Sequence, residues 1–280
     1  LAAVALSVAV MLFGREINGS KRWLALGPFS FQPSEFAKVA LILFLADLVT
    51  KNVKTIGKMW TLCRIMFWIL PIVGLVGASN LSTAIIILGI GVILIFVASP
   101  KYAQFALMGI AGACFMGIFL ALESYRLERL AIWRNPEKYE KGYQTLQGLY
   151  AIGSGGVFGV GIGNSVQKLG FVPEAQNDMI FSIICEELGL AGAGIIIFLF
   201  LLLIWRFFLI ASGSRDLFGA LIATGAMAHM MIQVILNIAV VTNTIPNTGI
   251  TLPFISYGGT SVMFLLIEMG LVLSVSQVVD

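Results

Sequence analysis

The sequence predicts an all-α fold, a polytopic bundle of membrane-spanning helices, and three observations carry that expectation. Hydrophobic residues make up 59% of the 280 positions and charged residues only 11%. Soluble globular chains carry about 25% charged residues, so this chain lacks the polar surface to face water on all sides. The apolar residues gather into long runs, several of them close to the roughly 20 residues that cross a bilayer core. Finally, the connections between runs differ in charge, with lysine and arginine concentrated in some and balanced by acids in others.

Eight runs are read as spans: Leu1–Phe13, Pro33–Thr50, Ile65–Ala78, Leu81–Ala98, Tyr102–Leu122, Met179–Ile210, Leu217–Val241 and Gly258–Val275. The chain begins inside an apolar run without a methionine, so a missing N-terminus is expected. The third and fourth runs are short and meet at Ser79-Asn80, as a polar hairpin or with one run tilted. The run from Met179 exceeds one span, and its first turns are expected to project beyond the lipid or to line a cavity. All runs are assigned to a single membrane-embedded domain, 1–280.

Lysine and arginine in short loops mark the cytoplasmic side. Lys51, Lys54, Lys58 and Arg64 stand in one connection without an acid; Lys101, and Arg206 with Arg215, fall on the same side if every run crosses. The opposite side then holds residues 14–32, the Ser79-Asn80 turn, the long segment 123–178 and residues 242–257. In 123–178 six basic residues balance six acids, which is compatible with translocation. The expected placement puts this long segment on the outer side of the membrane.

Composition excludes some functions. A net charge of +3 is too small to suggest nucleic acid, and a single histidine, His229, excludes a multi-histidine metal site. The three cysteines have no metal-binding spacing and read as buried thiols.

A 56-residue polar segment between spans calls for a reason. Its glycines at 153, 155, 156, 159, 161 and 163 only partly mimic a phosphate-binding loop, with no strand before them. They fit close packing of short helices and turns, or a re-entrant stretch whose backbone lines a cavity. Asp178 stands where this polar segment enters an apolar run. A helix cap and a general base both suit a carboxylate there. Glu186 is placed on the same helical face as Asp178, with Glu187 about 100° further round. Acids in a span are costly and are functional candidates. Lys38, one turn inside Ser34, is expected to snorkel to the surface. The irregular stretch 243–261 reads as a cavity wall. His229, Gln233 and Asn237 recur on one face and suit interhelical hydrogen bonding or a proton relay. Glu268, mid-span, needs a partner, and His229 is the obvious one.

Several stretches together resemble the SEDS family (shape, elongation, division and sporulation), the group of FtsW, RodA and SpoVE. They are Asn18 through Trp23, Gln32-Pro33-Ser34-Glu35-Phe36-Ala37-Lys38, Gly142-Tyr143-Gln144, Gly161 through Leu169, Pro173 through Asp178, Glu186-Glu187-Leu188-Gly189 and Pro246 through Gly259. The stretch Gly163 through Leu169 and the loop from Pro246 resemble the division and sporulation branch more than RodA. The family has ten spans, so the resemblance implies that the first two are absent here. Two departures stand out: Ser79-Asn80-Leu81-Ser82-Thr83 replaces the usual Pro-Asp-Leu-Gly-Thr, and Gln176-Asn177-Asp178 replaces the common His-Thr-Asp. Neither lost residue is expected to be required.

The resemblance implies a peptidoglycan glycosyltransferase that polymerises lipid II during division or sporulation. It shifts Asp178 to general base. Arg22, Lys38 and Lys168 are assigned as cations for pyrophosphate or substrate positioning, and Glu187 joins them as substrate-binding. The implied partners are lipid II, the lipid-linked glycan strand and a class B penicillin-binding protein. No cofactor is called for, with a divalent cation left open. A lipid II flippase and a non-catalytic scaffold for a transpeptidase are the alternatives.

Overall fold

The computed structural model describes residues 2–17, 20–26, 29–106, 108–110, 112 and 124–277. The helices follow in order as α1 (Ala2–Phe13), α2 (Pro33–Asn52), α3 (Met59–Ser79), α4 (Leu81–Ala98), α5 (Ser124–Arg134), α6 (Tyr143–Gly155), α7 (Ile180–Gly213), α8 (Leu217–Val241) and α9 (Gly259–Ser276). Three short strands, β1 (Arg15–Ile17), β2 (Ser20–Leu26) and β3 (Phe29–Phe31), stand between α1 and α2. Among the described residues five helices, α3, α4, α7, α8 and α9, are long and apolar enough to cross a membrane. The chain is a multi-pass, helical membrane protein. Glu35, Lys38 and Asp47 interrupt the apolar character of α2, which is why it falls outside those five. The run Tyr102–Leu122 is helical at 102–106 and 108–110, and most of its later half lies outside the described residues, as does Glu123.

Two expectations change. The run read as Ile65–Ala78 is a 21-residue helix from Met59 to Ser79. At 1.5 Å per residue it is about 31 Å long, a full span rather than a short one. Arg64, which the charge pattern puts in the loop, lies inside the helix, because a single long side chain near a helix end does not interrupt the backbone pattern. The second change is the sheet. Residues 14–32 carry a β1-β2-β3 antiparallel meander, with Ile17 paired to Ser20 and Leu24 to Phe31. Asn18-Gly19 is the dipeptide between Ile17 and Ser20, and Asn-Gly is the strongest short-range hairpin signal.

The chain divides into two compact units. The first comprises Leu1–Phe105, Ile204–Ile232 and Gly258–Asp280. Its centre is α2, which contacts α1, α3, α4 and α9. Leu41, Ile42, Leu45, Ala46 and Val49 of α2 are buried, as are Ile65 and Ile69 of α3 and Ile86, Ile87, Ile90 and Leu94 of α4. Asn80 ends one helix and starts the next: its N–H donates to Val76 O, and its side chain accepts from Thr83 N at 3.2 Å. A neutral amide thus supplies the cap at the position where the resembled family carries an acid.

The second unit comprises Ala106–Leu203 and Gln233–Tyr257. It holds α5, two 3₁₀ turns at Pro136–Lys138 and Glu140–Gly142, α6, the glycine-rich stretch, the first part of α7, the end of α8 and the irregular loop that follows it. Trp133 of α5 donates its indole N–H to Asn243 O at 2.9 Å, tying α5 to that loop.

Candidate active site

Asp178 is buried and lies in a turn two residues before the first helical residue of α7. The shared face expected for Asp178 and Glu186 does not apply, because helical periodicity starts only at Ile180. What fixes Asp178 is its backbone. Asn237, near the end of α8, donates from Nδ2 to Asp178 O at 2.8 Å and to Ile250 O at 2.7 Å. Ser256 donates from Oγ to Asn177 O at 2.6 Å while accepting from Leu252 N at 2.7 Å. Tyr257 N donates to Gln176 O at 2.8 Å. Three successive carbonyls, of residues 176, 177 and 178, are therefore held by α8 and the loop after it.

On the carboxylate side stands Gln144 of α6. Its Nε2 is 3.5 Å from Asp178 Oδ1, a long contact, and 3.3 Å from Pro173 O. Its Oε1 accepts from Asn247 Nδ2 at 3.0 Å, and Arg129 reaches Asn247 O at 3.4 Å. One amide thereby joins α6, the stretch leading to Asp178 and the loop after α8. Three non-glycine residues with left-handed backbone, Glu174 (φ 54), Asn243 (φ 55) and Phe254 (φ 61), sit in the two segments that meet here. Such conformations cost about 1–3 kcal/mol each and persist where surrounding bonds enforce them.

The glycine-rich stretch threads through a break in α7. Gly189 is non-helical, at φ 66 and ψ −170, and divides α7 into Ile180–Leu188 and a longer second stretch. Below the break, Glu186 O and Glu187 O accept from Val160 N at 2.9 Å and Gly161 N at 3.0 Å. Above it, Leu190 N and Ala191 N donate to Gly156 O and Val157 O, both at 3.0 Å. The inserted segment therefore satisfies the carbonyls and amides that a broken helix leaves orphaned. A Cβ on Gly189 would stand 2.4 Å from Gly159 N and Val157 O, and one on Gly159 would stand 2.2 Å from Glu187 O. Gly155 and Gly159 are thus packed directly against the backbone of α7, while Gly153, Gly156 and Gly163 have no atom within 4 Å of an added Cβ.

Glu186 and Glu187 hold the next stretch. The buried Glu186 accepts from Ser165 Oγ and, at 3.1 Å, from Val166 N. Glu187 accepts from Ser165 N at 3.4 Å and forms an ion pair with Lys168 Nζ at 2.6 Å. Lys168 and Glu187, both assigned to substrate, are thus partners in a half-exposed pair at the edge of the loop. Lys168 N also donates to Ser165 Oγ at 3.1 Å.

Lys38 and Arg22 belong to the first unit, Asp178, Lys168 and Glu187 to the second. Lys38 does not snorkel: it is 1% exposed and pairs with Glu35 at 2.9 Å. The helical i,i+3 spacing puts the acid within reach, so pairing replaces the climb to the surface. Arg22 lies in β2, its side chain outside the described residues. His229 Nδ1 meets Glu268 Oε2 at 2.8 Å in the same unit, both buried, as the need for a partner suggested. Gln233 bonds Thr251 O at 3.1 Å, so this face of α8 makes hydrogen bonds to other elements along its length.

The sequence reading singled out neither Gln144, Ser165, Asn247 nor Ser256 as site residues. The signal was present, since all four stand inside the family-like stretches. For Asn237 the sequence offers an interhelical hydrogen bond or a proton relay, and its partner carbonyl on Asp178 is remote in sequence.

A family model described as cell cycle protein, FtsW/RodA/SpoVE, matches residues 1–280. The chain is 42% identical to stage V sporulation protein E of Bacillus subtilis over 271 residues, covering 93% of this chain and 72% of that relative. It is 36% identical to a probable peptidoglycan glycosyltransferase FtsW of Thiomicrospira cyclica over 282 residues, covering 98% and 73%. Among solved structures, a chain from work on "structural coordination of polymerization and crosslinking by a peptidoglycan synthase complex" superposes with a TM-score of 0.83 at 30% identity, covering 99% of this chain and 79% of that one.

Proposed function

Since this chain belongs to the cell cycle protein family of FtsW, RodA and SpoVE, we propose that it is a peptidoglycan glycosyltransferase that polymerises lipid II in division or sporulation. The observation that carries the site is Asp178, a buried carboxylate whose own and two preceding carbonyls are fixed by Asn237, Ser256 and Tyr257. Such a group suits general-base work, where the carboxylate must stay within reach of one hydroxyl proton.

In the proposed reaction the growing glycan, held by its lipid pyrophosphate, is the donor, and lipid II brings the acceptor hydroxyl. Asp178 takes the hydroxyl proton as the oxygen attacks the anomeric carbon. The new glycosidic bond forms, the bond to the pyrophosphate oxygen breaks, and the lipid pyrophosphate departs with the electron pair. A single carboxylate suits a one-displacement, inverting transfer; covalent double displacement uses two carboxyls about 5 Å apart.

Cationic groups stabilise the departing pyrophosphate in this reading. Of the three assigned cations Lys168 lies in the second unit, with Glu187 as the residue that positions it. Arg22 and Lys38 are carried as substrate-binding residues by family resemblance alone. Among the described residues no group of three His, Cys, Asp or Glu side chains forms a metal ligand set. A divalent cation, if the reaction uses one, would draw most of its ligands from pyrophosphate and water. The basic loop of Lys51, Lys54 and Lys58 supports a cytoplasmic placement for that end of α2 and an extracytoplasmic catalytic segment in the bacterial inner membrane. The proposed protein partner is a class B penicillin-binding transpeptidase.

The test is reconstitution of the full-length protein with that transpeptidase and lipid II. Glycan ladders on a gel are the expected product. Translocation of labelled lipid II across liposomes without any polymer would overturn the reading in favour of a transporter.

A further inference from the structure

At one end of the first unit stand cations that no acid answers. Lys54, Lys58, Arg64 and Lys101 are exposed, and none of them meets a carboxylate among the described residues. Asp47, near the end of α2, is taken by Lys51 at 2.7 Å.

The loops that carry these cations are stitched together. Between α2 and α3, Thr55 N donates to Asn52 O at 2.9 Å and Lys58 N to Thr55 O at 2.8 Å, and Ile56 is fully buried. After α4, Lys101 N donates to Ser99 Oγ at 3.4 Å, and Ser99 Oγ donates to Gln104 Oε1 at 3.3 Å. The buried Gln104 donates from Nε2 to Gly57 O at 2.9 Å, which joins the second loop to the first. The Lys101 side chain therefore runs alongside Gly57, where an added Cβ would lie 3.6 Å from Lys101 Cε. Lys101 is thus brought to the residue that precedes Lys58. Like charges held together in this way repel each other, and a bound anion would offset that cost.

The surroundings identify the anion as the head of a lipid. Trp60 is 76% exposed and Tyr102 70%, each within two residues of a cation of the pair. Trp60 and Arg64, at helical i,i+4 spacing, share a face of α3. That helix is long and apolar enough to span a membrane, and the exposed side continues through Phe67 and Trp68. Arg64 stands about 7.5 Å along the axis from Met59, a depth from which a long side chain snorkels back to the headgroups. Tryptophan and tyrosine beside lysine and arginine at the end of a span are the side chains of a membrane interface. A soluble anion would use the cations alone, whereas an amphiphile covers the aromatic and apolar surface as well.

We propose that this end of the first unit is a binding site for an anionic phospholipid of the phosphatidylglycerol type. Lys58 and Lys101 take the phosphate, Lys54 and Arg64 flank it, and Trp60 and Tyr102 lie along the glycerol and the upper chains. The uncompensated cations repel the choline or ethanolamine of a zwitterionic lipid, which sets the specificity. The inference depends on α3 spanning the bilayer. It is independent of the catalytic reading and of which leaflet this end faces.

The experiment uses the full-length protein in a non-ionic detergent, titrated with phosphatidylglycerol or with phosphatidylcholine of the same chains. Bound lipid is counted by native mass spectrometry. Phosphatidylglycerol is expected to bind the more tightly. A basic residue near an anionic lipid contributes about fivefold in affinity, the equivalent of about 1 kcal/mol. Lys58→Ala with Lys101→Ala is therefore expected to weaken phosphatidylglycerol about 30-fold and to leave phosphatidylcholine unchanged. Arg134→Ala with Lys138→Ala removes the same charge from the polar segment and is expected to change neither. Equal affinity for the two lipids, or equal loss in the two double variants, would overturn the proposal. So would displacement of phosphatidylglycerol by inorganic phosphate beyond that by chloride at the same ionic strength, since the site would then hold a free anion. Both lysines are exposed, and Lys58→Gln with Lys101→Gln serves if the alanine variant folds poorly.

Discussion

Around Asp178 the backbone is held on three successive carbonyls, and Asn237 supplies the bond to its own. Asn237 is fully buried, and its Nδ2 also holds Ile250 O. Replacing it with leucine leaves two carbonyls without their donor, at about 1–3 kcal/mol for each buried group left unsatisfied. We expect Asn237→Leu to lower the melting temperature in detergent and to reduce polymerisation by more than the loss of folded protein accounts for. Unchanged activity per folded molecule would show that this clamp does not position the base. At this scale the sequence was only partly legible. The acid at the mouth of a span was visible from the switch in polarity at Asp178. The clamp was not, because Asn237, Gln144 and Ser256 reach it from 59, 34 and 79 positions away.

The broken helix α7 is the element on which the proposed site is built. Local composition gave a single apolar run from Met179, since nothing in a hydropathy pattern separates Gly189 from a tolerated helical glycine. Its φ of 66 and the backbone atoms crowding it become apparent only once Gly156–Gly161 is inserted opposite. Alanine at 189 would place a Cβ 2.4 Å from backbone atoms that cannot move without breaking four hydrogen bonds around the break. Gly189→Ala is expected to reduce the yield of folded protein sharply, and Gly153→Ala, with no atom within 4 Å of the added carbon, to leave it near wild type. Equal thermal stability of the two variants in a detergent melt would contradict the threaded arrangement. The pairing of β1 with β2 gives the opposite lesson: the Asn18-Gly19 dipeptide between them is a local signal in the sequence, carried by a short element with no membrane-length pattern.

At the scale of the whole molecule, the spans were legible because the bilayer imposes a length that local propensity does not. Seven of the eight runs coincide with described helices apart from shifted boundaries, as at Arg64, and the eighth, Tyr102–Leu122, is described only in part. Titratable groups inside the bundle follow a different rule: they persist in partnership. His229 and Glu268 are each at most 2% exposed and meet at 2.8 Å. Removing one partner of such a pair costs about 3–5 kcal/mol, whereas removing both is far milder. We expect His229→Leu and Glu268→Leu each to destabilise the protein strongly and the double variant to recover much of the loss. Additive losses in thermal melts would mean that each group is held by separate contacts.

The central claim is that Asp178 takes the proton from the acceptor hydroxyl. The most direct test is the glycan ladder formed from lipid II by the full-length protein with its transpeptidase partner, with and without Asp178→Asn. The substitution keeps the shape and leaves the carbonyl bonded to Asn237, but removes the base. The account predicts a folded variant that forms no ladder, a loss of at least about 100-fold, the lower range for a positioned acid–base group. Ladders of normal length and rate from Asp178→Asn would contradict it.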